Sequence, residues 1–490
     1  MATRILIYNP SYGKGFVRCA RSAFRSAGRV QRHPDYLLYA TALLEREGYE
    51  CKFIDGAALD MTVEDFRQVA RDFKPDMAVV HTTTPSIYSD IKNAELLKEE
   101  AGCKMVLVGP HASAMPEDML RLSEKVDAIA KKEFDYTLLD LAEMTEGKKS
   151  MRDILGITYR EGGHVASTAE RPFIENLDGL PFPAWHHVDP HWYFDPVKRN
   201  PFLTLISGRG CPFKCSFCLL PQTLMGRRYR LRSPKNVVDE MESDFSQFPY
   251  LKGIMFEDDT ILVDRKRCRD ICSEIIDRRI DTWWGCNVRA DVTDLELLRH
   301  MRKAGCQLFI VGYESGSQQV LNTIRKGISV DMAKDFTRLA RKAGIHVHGC
   351  FILGLPGETR DTLGQTVQYI RELKPDTIQV YAATPYPGTE FYDWAEKQGF
   401  ITAKRWDDYV SEEHEQTCVV SYPDLPDEEI LMYVNEAYQN FYLSPRNAIN
   451  LVLKIRGVND ISRFLRGFIN FLGYWRTYGR KMSHSKENHE

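Results

Sequence analysis

With 490 residues, 43% of them apolar and 27% charged, the chain has the make-up of a soluble globular protein of two or three domains. A net charge of -3 argues against a dedicated nucleic-acid binder, and no uninterrupted apolar window is long enough to cross a membrane. Twelve cysteines, behind a start that runs straight into a strand, point to a reducing cytoplasm without disulfides.

The first 150 residues alternate apolar runs with helical periodicity. Residues 4–8 (RILIY), 49–54 (YECKFI), 77–81 (MAVVH) and 104–108 (KMVLV) read as strands, and 35–47, 65–73 and 87–99 as helices. Such alternation predicts a doubly wound, Rossmann-like parallel sheet whose ligand loops follow the strands, at 9–15, 81–85 and 109–112. Residues 13–33 carry six Lys or Arg and no acid, which reads as a solvated loop or, more sharply, as a lid over an anionic ligand. Residues 151–195 form a connector with a small hairpin and a Pro-rich boundary at 177–185.

A strand at 202–206 then runs into Gly-Arg-Gly-Cys-Pro-Phe-Lys-Cys-Ser-Phe-Cys, which places Cys211, Cys215 and Cys218 in one loop at a strand's carboxyl end. No fourth protein ligand stands nearby, so a closed zinc site is disfavoured. Three soft thiolates suit an iron–sulfur cluster with one iron left open. Strand candidates follow at 253–256, 282–285, 307–311, 346–353 and 377–381. Helical stretches at 234–247, 264–279, 293–303, 331–343 and 359–372 separate them, giving six strand–helix units over 196–395. Polar groups cluster just past those strands: Glu257, Asp258 and Asp259; Asn287 and Arg289; Glu314 and Ser315; and Cys350 to Glu358 around Ile352 and Gly354. The arginine-rich run 222–232 is either a surface feature or part of the site. Tyr381, Tyr386 and Tyr392 are candidates to face a substrate.

Residues 396–490 read as helical. Between 443 and 481 eight Lys or Arg stand against the single acid Asp460, interspersed with aromatic and aliphatic residues. That pattern fits either a helix packed on the catalytic domain or an interfacial helix on anionic lipid, and 482–490 read as a disordered tail.

The Cys-x-x-x-Cys-x-x-Cys loop with Phe217 resembles the signature of the radical S-adenosylmethionine (SAM) superfamily, and a sheet domain before it resembles the class that binds B12. The resemblance implies a partial (β/α)6 barrel, a [4Fe-4S] cluster on Cys211, Cys215 and Cys218, and reductive cleavage of SAM to a 5′-deoxyadenosyl radical. It further implies SAM contacts from Phe217, Glu257 or its two neighbours, Asn287, Arg289, Glu314, Ser315, Ile352 and Gly354, and corrinoid contacts from Thr83, Gly109 and His111. The Asp-x-His-x-x-Gly motif is absent around His33, His81 and His111, so cobalamin is expected without a protein His ligand. The leading expectation is methyl transfer to a lipid-linked or natural-product substrate, fed by a flavodoxin or ferredoxin, in the cytoplasm or on the inner membrane face. Cyclisation, rearrangement or carbon–carbon coupling is the alternative enzyme reading, and a non-catalytic electron carrier the alternative from another class.

Overall fold

The computed structural model describes residues 2–444 apart from Ala20, Ser22, 27–29 and Thr293. The basic segment 443–481 and the tail therefore lie almost wholly outside the described residues.

Strand β1 (Arg4–Asn9) is buried along nearly its whole length, as expected of a strand covered on both faces. A two-residue hairpin follows, β2 (Val17–Arg18) with β3 (Ala23–Phe24), then helix α1 (Asp35–Arg46) and strand β4 (Glu50–Asp55). Helix α2 (Val63–Phe73), strand β5 (Met77–His81), helix α3 (Ile87–Ala101) and strand β6 (Lys104–Val108) continue the alternation. Strands β7 (Ala128–Ala130), β8 (Ile157–Glu161) and β9 (His164–Ser167) finish a seven-stranded sheet of order β4-β1-β5-β6-β7-β8-β9. The first five are parallel, and β8 and β9 are antiparallel additions, so the connector hairpin joins the first sheet's edge. Because β1 lies between β4 and β5, the loops leaving β1 and β5 diverge and open a crevice at their carboxyl ends.

The second sheet contains β10 (Phe202–Leu205), β13 (Gly253–Phe256), β14 (Trp283–Val288), β15 (Cys306–Glu314), β16 (His346–Leu353) and β17 (Thr377–Ala382), all parallel and in sequential order. A short antiparallel pair, β11 (Gly208–Arg209) with β12 (Arg230–Leu231), brackets the cysteine loop. Helices Pro234–Gln247, Arg265–Asp277, Leu295–Lys303, Val330–Lys342 and Arg360–Leu373 are interposed. Each starts on a Ser, Asp or Thr whose side chain accepts from the third backbone N–H of its helix.

At the far edge, helix Asp427–Tyr442 lies along β17. The Tyr438 hydroxyl accepts from Val380 N at 3.0 Å and donates to Val380 O at 3.1 Å, and Tyr442 does the same with Ile378 at 3.0 and 2.9 Å. A helix advances about 6.0 Å in four residues and a strand about 6.6 Å in two. Two tyrosines at i and i+4 therefore meet the two exposed peptide units that a seventh strand would have paired.

Candidate functional site

The cysteine loop is anchored from several directions. Asp258, just past β13, accepts from the backbone N–H of Ser207 (2.6 Å) and Gly208 (3.3 Å) and from the hydroxyls of Ser207 and Tyr229 (2.6 Å each). Arg227 donates to Phe213 O at 2.5 Å, and Gln222 to the carbonyls of Ser216 and Cys218. Cys211 and Cys215 are buried and Cys218 half-buried, and burial pushes the Cys211 thiol up to about 11. Such thiols ionise when a positively charged group binds them. A single zinc ion at about 2.3 Å from each sulfur draws thiolates to within about 4 Å of one another. Among the described residues these three sulfurs form no group drawn together within 4.8 Å. Three soft thiol donors in one anchored loop fit an iron–sulfur cluster.

Glu257 and Asp259 flank Asp258 and face a set of cations. Glu257 receives Lys198 Nζ at 3.1 Å, Arg32 Nη1 at 3.0 Å and Asn287 Nδ2 at 3.3 Å. Burial alone would raise its carboxyl, but Lys198, Arg32 and Arg21 hold it well below the usual carboxylate range. Asp259 pairs with Arg21 at 2.7 Å. Of the three acids, Asp258 holds the loop, while Glu257 and Asp259 carry the cations. Arg289 runs beside the cluster loop, its Nη1 4.0 Å from Cys215 Sγ and its guanidinium 3.5 Å from the Phe213 ring centroid, with Lys326 O as acceptor at 2.6 Å.

Glu314 is buried against Lys326 Nζ at 2.5 Å. Ser315 is buried with its Oγ 3.1 Å from Thr366 Oγ1. Phe217 and Ile352 are half-buried beside the core. Gly354 has φ of +91°, and a Cβ there would come 2.9 Å from Ile430 of the last helix. The close approach that this glycine permits is thus by another side chain. Glu358 accepts from Gly354 N and Leu355 N, and burial lifts its carboxyl from near 4.5 to about 8.

At the crevice of the first sheet, Arg18 is fully buried and donates to Asn9, Ser86, Asp90 and His81 O at 2.7–3.3 Å. Thr83 Oγ1 lies 2.6 Å from Ser86 Oγ. His111, on helix α4 (Pro110–Ala114), lies 3.1 Å from Thr84 Oγ1 and meets the Trp406 ring edge-on. Burial lowers both His81 (with help from Arg18) and His111 to about 3, so both are neutral imidazoles. Gly109, with φ of +122°, passes so near Thr82 that a Cβ would sit 2.4 Å from its carbonyl oxygen.

The two sheets meet through ions. Arg209 of β11 pairs with Glu133 (2.9 Å) and Asp135 (2.8 Å) of the first unit and lies over the rings of Tyr36 and Tyr39. Arg230 pairs with Glu133 at 2.6 Å. The arginine-rich run is therefore largely an internal tie. The described residues of 13–33 are likewise not a solvated loop: Arg21 and Arg32 reach the barrel acids, Phe24 packs edge-on against Tyr381, and Arg25 N donates to His414 O at 2.6 Å. Tyr386 stacks on Tyr409, and Tyr392 donates to Glu396. Lys198, Arg21 and Arg32 were not singled out from the sequence. The six cations without an acid in 13–33 are the one signal present for Arg21 and Arg32, whose partners lie more than 200 residues away.

Known proteins bear on this arrangement. The model of the radical SAM superfamily matches residues 205–370, and that of the B12 binding domain residues 30–142. An uncharacterized methyltransferase of Pyrococcus horikoshii is 31% identical over 87% of this chain and 92% of its own length. The anaerobic magnesium-protoporphyrin IX monomethyl ester cyclase of Cereibacter sphaeroides is 30% identical over 79% of this chain and 63% of its own. Among solved structures, the radical SAM methyltransferase TsrM of Kitasatospora setae, with cobalamin and a [4Fe-4S] cluster bound, superposes with a TM-score of 0.69. That match has 17% identity and covers 91% of this chain and 90% of that one, a likeness of fold.

Proposed function

The chain belongs to the radical SAM superfamily, in the class with an N-terminal B12-binding domain, and from that premise we propose that it is a cobalamin-dependent methyltransferase. Its substrate is a natural-product or lipid-linked molecule methylated at an unactivated carbon. The observation that carries this reading is the ion-tied apposition of the cysteine loop to the first sheet, with Arg209 on one and Glu133 and Asp135 on the other. Bound there, the [4Fe-4S] cluster supplies an electron for SAM cleavage and cobalamin a carrier for the methyl group.

The chain's own residues hold and orient. Cys211, Cys215 and Cys218 hold the cluster. Glu257, kept ionised by its cations, accepts from the SAM ammonium, and Arg289 beside Cys215 pairs with the SAM carboxylate. Asn287 orients Glu257. Glu314 and Ser315 serve the ribose, and Phe217 and Ile352 the adenosine. Thr83, Gly109 and His111 border the corrinoid, with His111 neutral and turned to Thr84. The described residues of 13–33, among them Arg25 and Arg32, exclude water. A flavodoxin or ferredoxin delivers the electron. The basic sequence 443–481 is proposed to touch anionic membrane, so vesicles of anionic lipid should bind the whole chain and not one ending at Ser444.

Reduced, cluster-loaded protein incubated with SAM and candidate substrates tests the reading. Methyl transfer yields both 5′-deoxyadenosine and S-adenosylhomocysteine, and protein purified with B12 retains a corrinoid spectrum. The cyclase relative motivates a second reading, radical cyclisation without methyl transfer. 5′-Deoxyadenosine formed with no S-adenosylhomocysteine would favour it.

A further inference from the structure

Away from the cluster loop, at the outer corner where α1 meets the connector, Glu45, His186 and His187 bring three ligand atoms within 4.8 Å of one another. Both imidazole Nε2 atoms point at the same oxygen, Glu45 Oε1, His187 at 2.8 Å and His186 at 3.1 Å. We propose that these residues form a binding site for a divalent transition ion of the zinc class, clipping the connector to the first domain.

Two neutral imidazole nitrogens and one carboxylate oxygen make up a donor set that Zn2+ takes readily. The donors are held by structure. Trp185, only 1% exposed, is buried directly before the histidine pair, and the turn is tied to α1 by Ala184 N donating to Leu38 O at 3.1 Å. The two rings lie 4.4 Å apart at an interplanar angle of 37°, so both nitrogens reach one point without unfolding the turn. An ion about 2.0–2.2 Å from each donor holds tetrahedral donors roughly 3.4 Å apart, so the present 2.8 and 3.1 Å need only a small opening by side-chain rotation. Each neutral ring keeps its one proton on Nδ1 and offers the Nε2 lone pair to the ion. The His186 side chain is 55% exposed and that of His187 15%, which leaves the outer side open to water as the fourth ligand. The ion would replace a weak, solvent-screened hydrogen-bonded trio with coordinate bonds between α1 and the segment leading to the barrel.

Isothermal titration of the cluster-loaded full chain with Zn2+ tests this, with Glu45→Gln and His187→Ala beside the wild type. The expected result is one Zn2+ per chain, bound at least about tenfold more weakly by each variant, with iron content and zinc-free melting temperature unchanged. Zinc-edge X-ray absorption should report a shell of nitrogen and oxygen. Absence of uptake by the wild type, equal affinity in all three proteins, or a sulfur shell, which would put the ion on the cysteine loop, overturns the proposal. Should His187→Ala melt early, Glu45→Gln, which keeps size and hydrogen bonding, decides.

Discussion

Glu257 shows how much of the site's electrostatics rests on one carboxylate. Lys198 is fully buried and pairs with Glu257 and Asp195. Replacing Glu257 by Gln removes the nearer of these two carboxylates and the one that faces Arg32, a loss bounded by the about 3–5 kcal/mol that removing one partner of a buried pair costs. The Glu257→Gln variant should therefore melt several degrees lower in a thermal scan as well as cleave SAM slowly. Cys211→Ala should lose most of its iron and all SAM cleavage while melting close to the wild type, since its role in the loop is ligation. Glu358 gives the pH dependence. Its folded value of about 8 lies above its ordinary value near 4.5, so the folded state binds the extra proton between those limits. Stability from this group is full below about pH 4.5 and falls through pH 8, at up to about 1.4 kcal/mol per pH unit. Glu358→Gln keeps an acceptor for Gly354 N and Leu355 N, and should flatten that fall in urea melts at pH 5–8. An unchanged slope would count against the buried acid.

Among elements, the tyrosine pair on β17 is the most exposed to test. Tyr438→Phe leaves Val380 N–H and C=O without their hydroxyl, a cost of about 1–3 kcal/mol, and Tyr442→Phe should do the same at Ile378. Native-state hydrogen exchange should show those two amides opening faster while β15 is unaffected. Apolar run length decided which elements could be read from the sequence. Strands β1, β5 and β6 are four to six residues of aliphatic side chains and announce themselves, as do the six strands of the second sheet, with ends moved by a few residues. Strand β7 is Ala-Ile-Ala, too short to show a period, and the β8–β9 hairpin looks local, so its addition to the first sheet is set by Asp127 and its neighbours across the edge. Helix α4 is five residues long and carries no periodicity at all. The site divides the same way. The cysteine spacing and the strand-end acids are contiguous and legible. Asp258's service to the loop, the three cations around Glu257 and the filling of Gly354's free face by Ile430 depend on partners far along the chain.

At the scale of the whole molecule, the first sheet and the barrel are joined by buried ions. Arg209, Arg230, Glu133 and Asp135 are each almost wholly buried and span the junction. Arg209→Met should leave two carboxylates facing one guanidinium, and calorimetry should then resolve two transitions where the wild type gives one. Retention of a single transition would mean that the apolar contacts alone couple the units.

The segment 13–33 binds at both ends of the chain's history. Arg21 and Arg32 wait for Asp259 and Glu257, and Arg25 waits for His414, about 390 residues later. At about 5–20 residues per second, synthesis leaves roughly 20–80 s between the emergence of Arg25 and that of its last partner. The cysteine loop is complete at residue 218, so roughly 10–40 s of that interval remain in which the loop is made and His414 is not. Iron offered to the nascent chain would thus meet the loop before the contact between Arg25 and His414 can form.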